Sequence, residues 1–369
     1  MSYCNSKTSR KIAVLTTLAT IAVVIIHSNS LESYRESAWL FGIGNGIAFL
    51  QHWAVPFFFM VSGFFFDRAF DDGPLIGGYS SFLFKKLRTL GMPYLLWGSV
   101  IGFLLMTPLK IIVNQQQGAE LLSGTIFAAH GVWNVVDHVV GISGGNFVGA
   151  LWYVRVLLIA FLMTPVWIGL RRVSRWLLPM VGIGLILGFS AVSGGGGEES
   201  GEKFGAFYLP VSSFGWILLG MAVSAFKLEE VKVPRCAVLC AAFLWTIMTV
   251  VVVINRFEIA PWNGVLCIWF RIAPLFLIVA WWGGVDGAMA RLPEKLPEWF
   301  SYRFWIYCMH HPITAWVGGI VYAVVGHGLS GRIIVQFLQA PLTLLICICA
   351  AVVVKKLCPK VFKVLCGGR

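Results

Sequence analysis

The chain has 369 residues, 58% of them hydrophobic and only 12% charged, with 16 Trp and 28 Phe. That composition excludes a soluble domain with a polar surface. A net charge of +12 would suit a nucleic-acid partner, but the cations are scattered through short loops instead of forming one patch. No nucleic acid is expected, and topology is the better reading of the charge.

A bilayer core of roughly 30 Å needs about 20 apolar residues per helix. Windows of that kind run over 12–29, 46–66, 89–106, 150–170, 176–192, 207–226, 235–254, 263–282, 304–325 and 333–354. The expectation is an all-α polytopic integral membrane protein of about ten transmembrane helices, one domain over 1–369. The first window is of spanning length and lacks a small-residue cleavage site, so it reads as a retained helix and not a signal peptide. It takes in all but the last residue of TTLATIAVVIIHSNS, Thr16 to Ser30. On a helix Thr16 and Thr20 each lie within about 20° of His27, so the three share a face that should look into a bundle. A buried His27 would be held neutral and competent as a general base; the alternative is a helix-end residue snorkelling to the outer headgroups.

The second window holds VPFFFMVSGFFF, Val55 to Phe66, with Ser62 and Gly63 near its end. FKKLRTLGMPYLLWG, Phe84 to Gly98, places Lys85, Lys86 and Arg88 at the mouth of the third, as positive-inside anchors or as a dock for a phosphate-bearing ligand. Between 107 and 149 apolar residues recur at helical spacing, which suggests an interfacial helix; Asp137 and His138 there read as a solvated face. Arg155 in LWYVRVLL lies toward an outer end, SGGGGEES (Ser193 to Ser200) is an external loop by composition, and Arg271 falls near the middle of its window. An arginine there needs a partner, a wet cavity or an anionic ligand. In SYRFWIYCMHHPI, Ser301 to Ile313, Tyr307 is three residues from His310 and four from His311, so either histidine can neighbour it.

With the N-terminus placed inside, 21 of the 28 Lys and Arg fall on the cytoplasmic side and only Arg35, Lys110, Lys203, Arg256 and Arg332 outside. The positive-inside rule therefore puts both termini in the cytoplasm. None of the nine cysteines lies in an external loop of this topology, so neither disulfides nor a metal site is expected.

These stretches, in this order, resemble the integral-membrane acyltransferase-3 family, which includes bacterial sugar O-acetyltransferases. The resemblance rests on LTTLATIAVVIIHS, VPFFFMVSGFFF, FKKLRTLGMPYLLW, LWYVRVLLIAFLMTP and IYCMHHPI, and it covers nearly the whole chain. It implies a multi-pass enzyme of the bacterial inner membrane that takes an acyl group, acetyl above all, from cytoplasmic acyl-CoA. The acceptor it implies is a hydroxyl of a cell-surface glycan or lipid-linked sugar. His27 matches the family's catalytic histidine, Lys85 and Arg88 its paired basic residues, His310 its late histidine, and Ser62 with Gly63 its Ser-Gly turn. Thr16 stands where the family commonly has Arg; Arg271 or Arg155 is expected to supply that cation from another helix. Lys86 joins the basic mouth, and Tyr307, His310 or an arginine is expected to steady the oxyanion. A transporter or lipid-linked-sugar flippase also needs buried Arg and His, and Thr16 raises a third reading, an inactive relative.

Overall fold

The computed structural model describes residues 6–31, 34, 36–70, 75–101, 104–105, 136–137, 139–141, 149–192, 202–204, 207–209, 211–255 and 265–368. Nearly all of this is helix, and each of the ten apolar windows carries some. Among the described residues, five helices are long and apolar enough to cross a membrane, or six if one bent pair counts as a span. Leu177–Gly188, Ser212–Ala225 and Arg235–Val251 are shorter apolar helices. The suggested interfacial helix and the glycine-rich loop lie almost wholly outside the described residues. One window is corrected at its start: 207–226 opens on a two-stranded hairpin, with Glu202–Phe204 (β1) antiparallel to Phe207–Leu209 (β2). The cause is local, because Leu209 precedes Pro210 and is biased to extended backbone.

The chain divides into two compact units. Unit 1 comprises Met1–Tyr79, Met163–Gly201 and Pro210–Ser301; unit 2 comprises Ser80–Leu162, Glu202–Leu209 and Tyr302–Arg369. In unit 1, α1 (Ser6–His27), α2 (Ala38–Gln51) and α3 (Ala54–Arg68) are followed by α7 (Thr164–Val173), α8 (Leu177–Val192), α9 (Ser212–Ala225), α10 (Arg235–Asn255) and α11 (Val265–Met289). Unit 2 begins inside α4 (Leu75–Lys86), at Ser80, and the chain then runs through π-helical turns at Leu87–Gly91 and Trp97–Ile101 on either side of α5 (Met92–Leu96). It continues with α6 (Trp152–Leu162), α12 (Arg303–Val325), α13 (Leu329–Leu357) and α14 (Pro359–Leu365).

Helices cannot be driven together in lipid by hydrophobicity alone, so small residues that let backbones touch do much of the joining. A Cβ on Gly63 of α3 would collide with the Ile217 carbonyl of α9, and one on Gly220 of α9 with the Met60 carbonyl of α3. The two glycines thus permit one close crossing from opposite sides. On another face of α9 a Cβ at Gly215 would lie 2.5 Å from the Gly182 carbonyl of α8. Elsewhere in unit 1 large rings fill the space: Phe49 of α2 stacks on Trp245 of α10 at 4.6 Å, beside buried Ala273 of α11.

The end of unit 1 where α1 begins and α3, α7, α9 and α11 finish is laced by charge. Lys11 Nζ lies 3.1 Å from Asp286, Arg171 Nε lies 2.9 Å from fully buried Asp67, and Arg68 pairs with Glu229 in the turn after α9. Arg10 donates to the Leu292 carbonyl at 2.7 Å. Burial raises the Glu229 carboxyl above its ordinary value, and Arg68 partly opposes that shift. These pairs put helix ends of alternating chain direction at one place, as an up-and-down bundle requires.

Unit 2 is tied by tryptophans. Trp97 donates to the Leu365 carbonyl and Trp305 to the Cys347 carbonyl, each at 3.1 Å. The Trp305 ring packs on Trp97 and on Phe362 of α14. A buried indole with its N–H satisfied contributes a large apolar area and fixes a direction. The unit is also where the chain's positive charge collects: it carries 13 Lys and Arg against 3 Asp and Glu, whereas unit 1 carries 15 against 13.

Candidate active site

In unit 1 the first-helix face is partly as expected. Thr16 and Thr20 are buried, 8% and 2% exposed, and both hydroxyls bond back to their own helix. Thr16 Oγ1 donates to the Ile12 carbonyl at 2.7 Å and Thr20 Oγ1 to the Thr16 carbonyl at 2.8 Å. That is how a helical threonine satisfies itself when no other acceptor is closer. Thr16 therefore offers a ligand its lone pairs and no charge. His27 departs from the expectation of burial, since it is exposed. It is the last residue of α1, one turn beyond the packed run that includes Val23 and Val24, so the desolvation argument for a neutral imidazole does not carry over to it. On α3 the half-buried Ser62 donates to the Phe58 carbonyl at 2.8 Å, and Gly63 makes the crossing with α9. Arg271 on α11 is half-buried.

Unit 2 holds the other candidates. Lys85 and Arg88 are exposed on α4 and the π-turn that follows it. Lys86 instead turns its ammonium over two rings, 4.8 Å from Phe161 of α6 and 5.2 Å from Phe82. That contact anchors α4 to α6 by cation–π attraction. Arg155 is 5% exposed on α6, so it is packed inside the unit and does not extend outward as a snorkelling residue would.

The start of α6 is fixed to α12. The Tyr307 hydroxyl donates to the Ala150 carbonyl, in the turn just before α6. The Tyr153 ring meets Tyr307 edge-on at 5.6 Å. The expected oxyanion contact from Tyr307 would have to displace that bond. His310 is 0% exposed. Its Nδ1 lies 2.7 Å from the Tyr307 carbonyl and 3.3 Å from the Ile306 carbonyl. Both neighbours are acceptors, so Nδ1 carries the proton and the lone pair is left on Nε2. That is the tautomer a general base needs. His311, which the sequence left as an alternative, is half-buried with its Nε2 3.0 Å from where a Cβ on Gly149 would stand. Adjacent helical positions diverge by about 100°, and the structure turns the first of the pair inward.

Unit 2 thus joins Lys86, Tyr307 and His310 to the helix that bears Arg155, while Thr16, His27, Ser62 and Arg271 belong to unit 1. Sequence reasoning did not single out Thr314, Gln339 and Thr343, all buried on α12 and α13. Their signal was visible as polar residues in the middle of apolar windows. Nor did it find the pairing of Asp67 with Arg171, whose partners are remote in the chain.

No curated protein and no solved structure matches the chain. The model of one family, described as Acyltransferase domain, matches residues 11–355, which takes in both units and every candidate residue above. The chain belongs to the acyltransferase-3 family and is a multi-pass membrane acyltransferase.

Proposed function

We propose that the protein moves an acetyl group from cytoplasmic acetyl-CoA to a hydroxyl of a cell-surface glycan or lipid-linked sugar, in a bacterial inner membrane crossed by ten helices with both termini inside. The single observation that carries the donor assignment is the charge of unit 2, where 13 Lys and Arg meet 3 Asp and Glu. A polyanionic donor is drawn to such a surface. Lys85 and Arg88, exposed at the start of the third window, take its phosphates. Arg155 and Arg271 are the cations available to a developing oxyanion.

The base removes the acceptor's hydroxyl proton, and the oxygen attacks the thioester carbonyl. The C–S bond breaks, and the departing thiolate takes the proton to leave free CoA. His27 is the family match for that base. Buried His310, with its lone pair on Nε2, is the second histidine able to accept a proton. The test is release of free thiol from acetyl-CoA by purified protein with native membrane extract as acceptor. His27→Ala and His310→Ala should each lose about 10²–10⁴ in rate if the residue is the base. Undiminished turnover by the His27 variant rejects His27, and the same result for both rejects histidine catalysis. Mass spectrometry of surface glycans with and without the gene should show the lost acetyl mass.

A further inference from the structure

No Asp or Glu follows Glu298, whereas seven Lys and Arg do, five of them between 355 and 369. That stretch is the end of α13 and the short helix α14 (Pro359–Leu365). Steps of about 100° per residue sort α14 into three rows: Phe362 with Leu365, Lys360 with Lys363, and Val361 with Val364. Phe362 and Leu365 are buried, while both lysines and both valines are exposed. Lys356 and Leu357, the last two residues of α13, repeat the pairing of an exposed cation with an exposed apolar side chain. Lys355 differs, because its ammonium lies over the Tyr302 ring at 5.4 Å and the Phe362 ring at 6.0 Å and so supports the packed row.

A helix of seven residues does not persist alone in water. This one is fastened from its buried side. The Phe362 ring stacks on Trp305 at 5.3 Å, and Trp97 donates to the Leu365 carbonyl at 3.1 Å. Gly367, at φ +69°, ends the helix against the Thr89 carbonyl, where a Cβ would collide. The two outer rows are therefore preorganised, and a partner that meets them has no helix to order. The apolar row also continues a face that α13 already turns outward, since Val352, Val353 and Leu357 are exposed. Such a face on a spanning helix meets acyl chains, so cations at its end stand at headgroup depth. Positive-inside placement asks only for a number of cations and not for an apolar row beside them. A soluble phosphate ligand would use the lysines and leave the valines in water. An anionic lipid has a group for each row.

We propose that α14 and the end of α13 form a docking surface for anionic phospholipid. Lys356, Lys360 and Lys363 take the headgroup charge, and Leu357, Val361 and Val364 rest against acyl chains. Through the contact of Gly367 with Thr89, lipid bound here also steadies the turn that carries Arg88. The surface needs no acyl transfer, so it stands or falls apart from the reading above.

The experiment uses the full chain in neutral detergent, titrated with dioleoyl phosphatidylglycerol or dioleoyl phosphatidylcholine, with retained lipid counted by native mass spectrometry. Wild type should hold phosphatidylglycerol more tightly. Each lysine changed to glutamine should weaken that binding about fivefold, and Lys356→Gln with Lys360→Gln and Lys363→Gln about 100-fold, with phosphatidylcholine unaffected. A control carrying Lys232→Gln, Arg291→Gln and Lys295→Gln, all exposed cations of unit 1, removes the same charge and should stay near wild type. Equal retention of the two lipids by wild type overturns the proposal, as does a triple variant that matches the control. Excess free CoA should leave the lipid in place; release that depends on these lysines would make the patch a dock for a soluble phosphate and overturns the proposal too. If the triple variant does not fold, Lys360→Gln and Lys363→Gln are read singly, and the absence of any loss in both is the refuting result.

Discussion

Arg171→Ala should be among the most damaging single changes in unit 1. Asp67 is 0% exposed and Arg171 Nε stands 2.9 Å from its Oδ1. At that distance the attraction is about 6 kcal/mol for an effective dielectric of about 20. Most of it offsets the desolvation of both ions, so the intact pair adds little net stability. Removing the guanidinium alone keeps the carboxylate's desolvation cost and deletes the attraction that answers it, at about 3–5 kcal/mol. With about 2–4 °C per kcal/mol for a unit of this size, the unfolding midpoint should fall by roughly 10 °C. The assay is thermal unfolding in detergent of wild type, Arg171→Ala and the neutral pair Asp67→Asn with Arg171→Gln. The neutral pair should recover most of the loss, because it removes the stranded charge and keeps polar partners. A midpoint for Arg171→Ala within about 3 °C of wild type, roughly 1 kcal/mol on the same scale, would refute the argument, as would a neutral pair no better than the single change.

Gly220→Ala should destabilise by about 1–3 kcal/mol, because the added methyl meets the Met60 carbonyl with no flexible side chain to yield; Gly184→Ala, where nothing lies within 4 Å, should be neutral or gain up to about 1 kcal/mol in helix propensity, and thermal unfolding of both separates packing from propensity. Tyr307→Phe removes the donor to the buried Ala150 carbonyl and should cost about 1–3 kcal/mol; unchanged stability with a hundredfold loss of transfer would instead make the hydroxyl catalytic. The raised Glu229 carboxyl means the folded chain binds this proton more tightly than the unfolded chain. Its contribution to stability is therefore greatest at low pH and is lost as pH rises from the ordinary glutamate range through the folded value. Glu229→Gln should flatten that part of the curve of midpoint against pH, and an unaltered slope would show that another group titrates there.

The helices were legible because their signal is local: a run of about 20 apolar residues needs no knowledge of its neighbours. The breaks were less so. The interruption between Gln51 and Ala54 and the π-turns around Pro93 fall inside apolar windows or at their edge, so hydropathy alone does not show them. The histidines show the same division. Spacing placed His310 and His311 within reach of Tyr307, and only packing chose His310 for the interior and set its tautomer through two backbone carbonyls. For His27 a face could be assigned by rotation, but it is exposed while Ser28 beside it is 2% exposed, and which side of the helix end is covered is set by residues outside α1.

Charge gives the sharpest contrast between what a sequence holds and what it displays. The excess of +12 and its bias to one side were readable, and both fitted a single cause, the positive-inside rule. The fold separates two causes. In unit 1, cations at one end of the bundle meet acids brought from distant segments, Lys11 with Asp286, Arg68 with Glu229 and Arg171 with Asp67, so they hold helix ends together. Unit 2 has almost no acid for its cations to meet. Because that unit is gathered from three separate stretches of chain, no window along the sequence reveals the imbalance. A surplus that serves topology alone would be shared by both units; this one is concentrated in the unit that carries Lys85, Arg88 and buried His310.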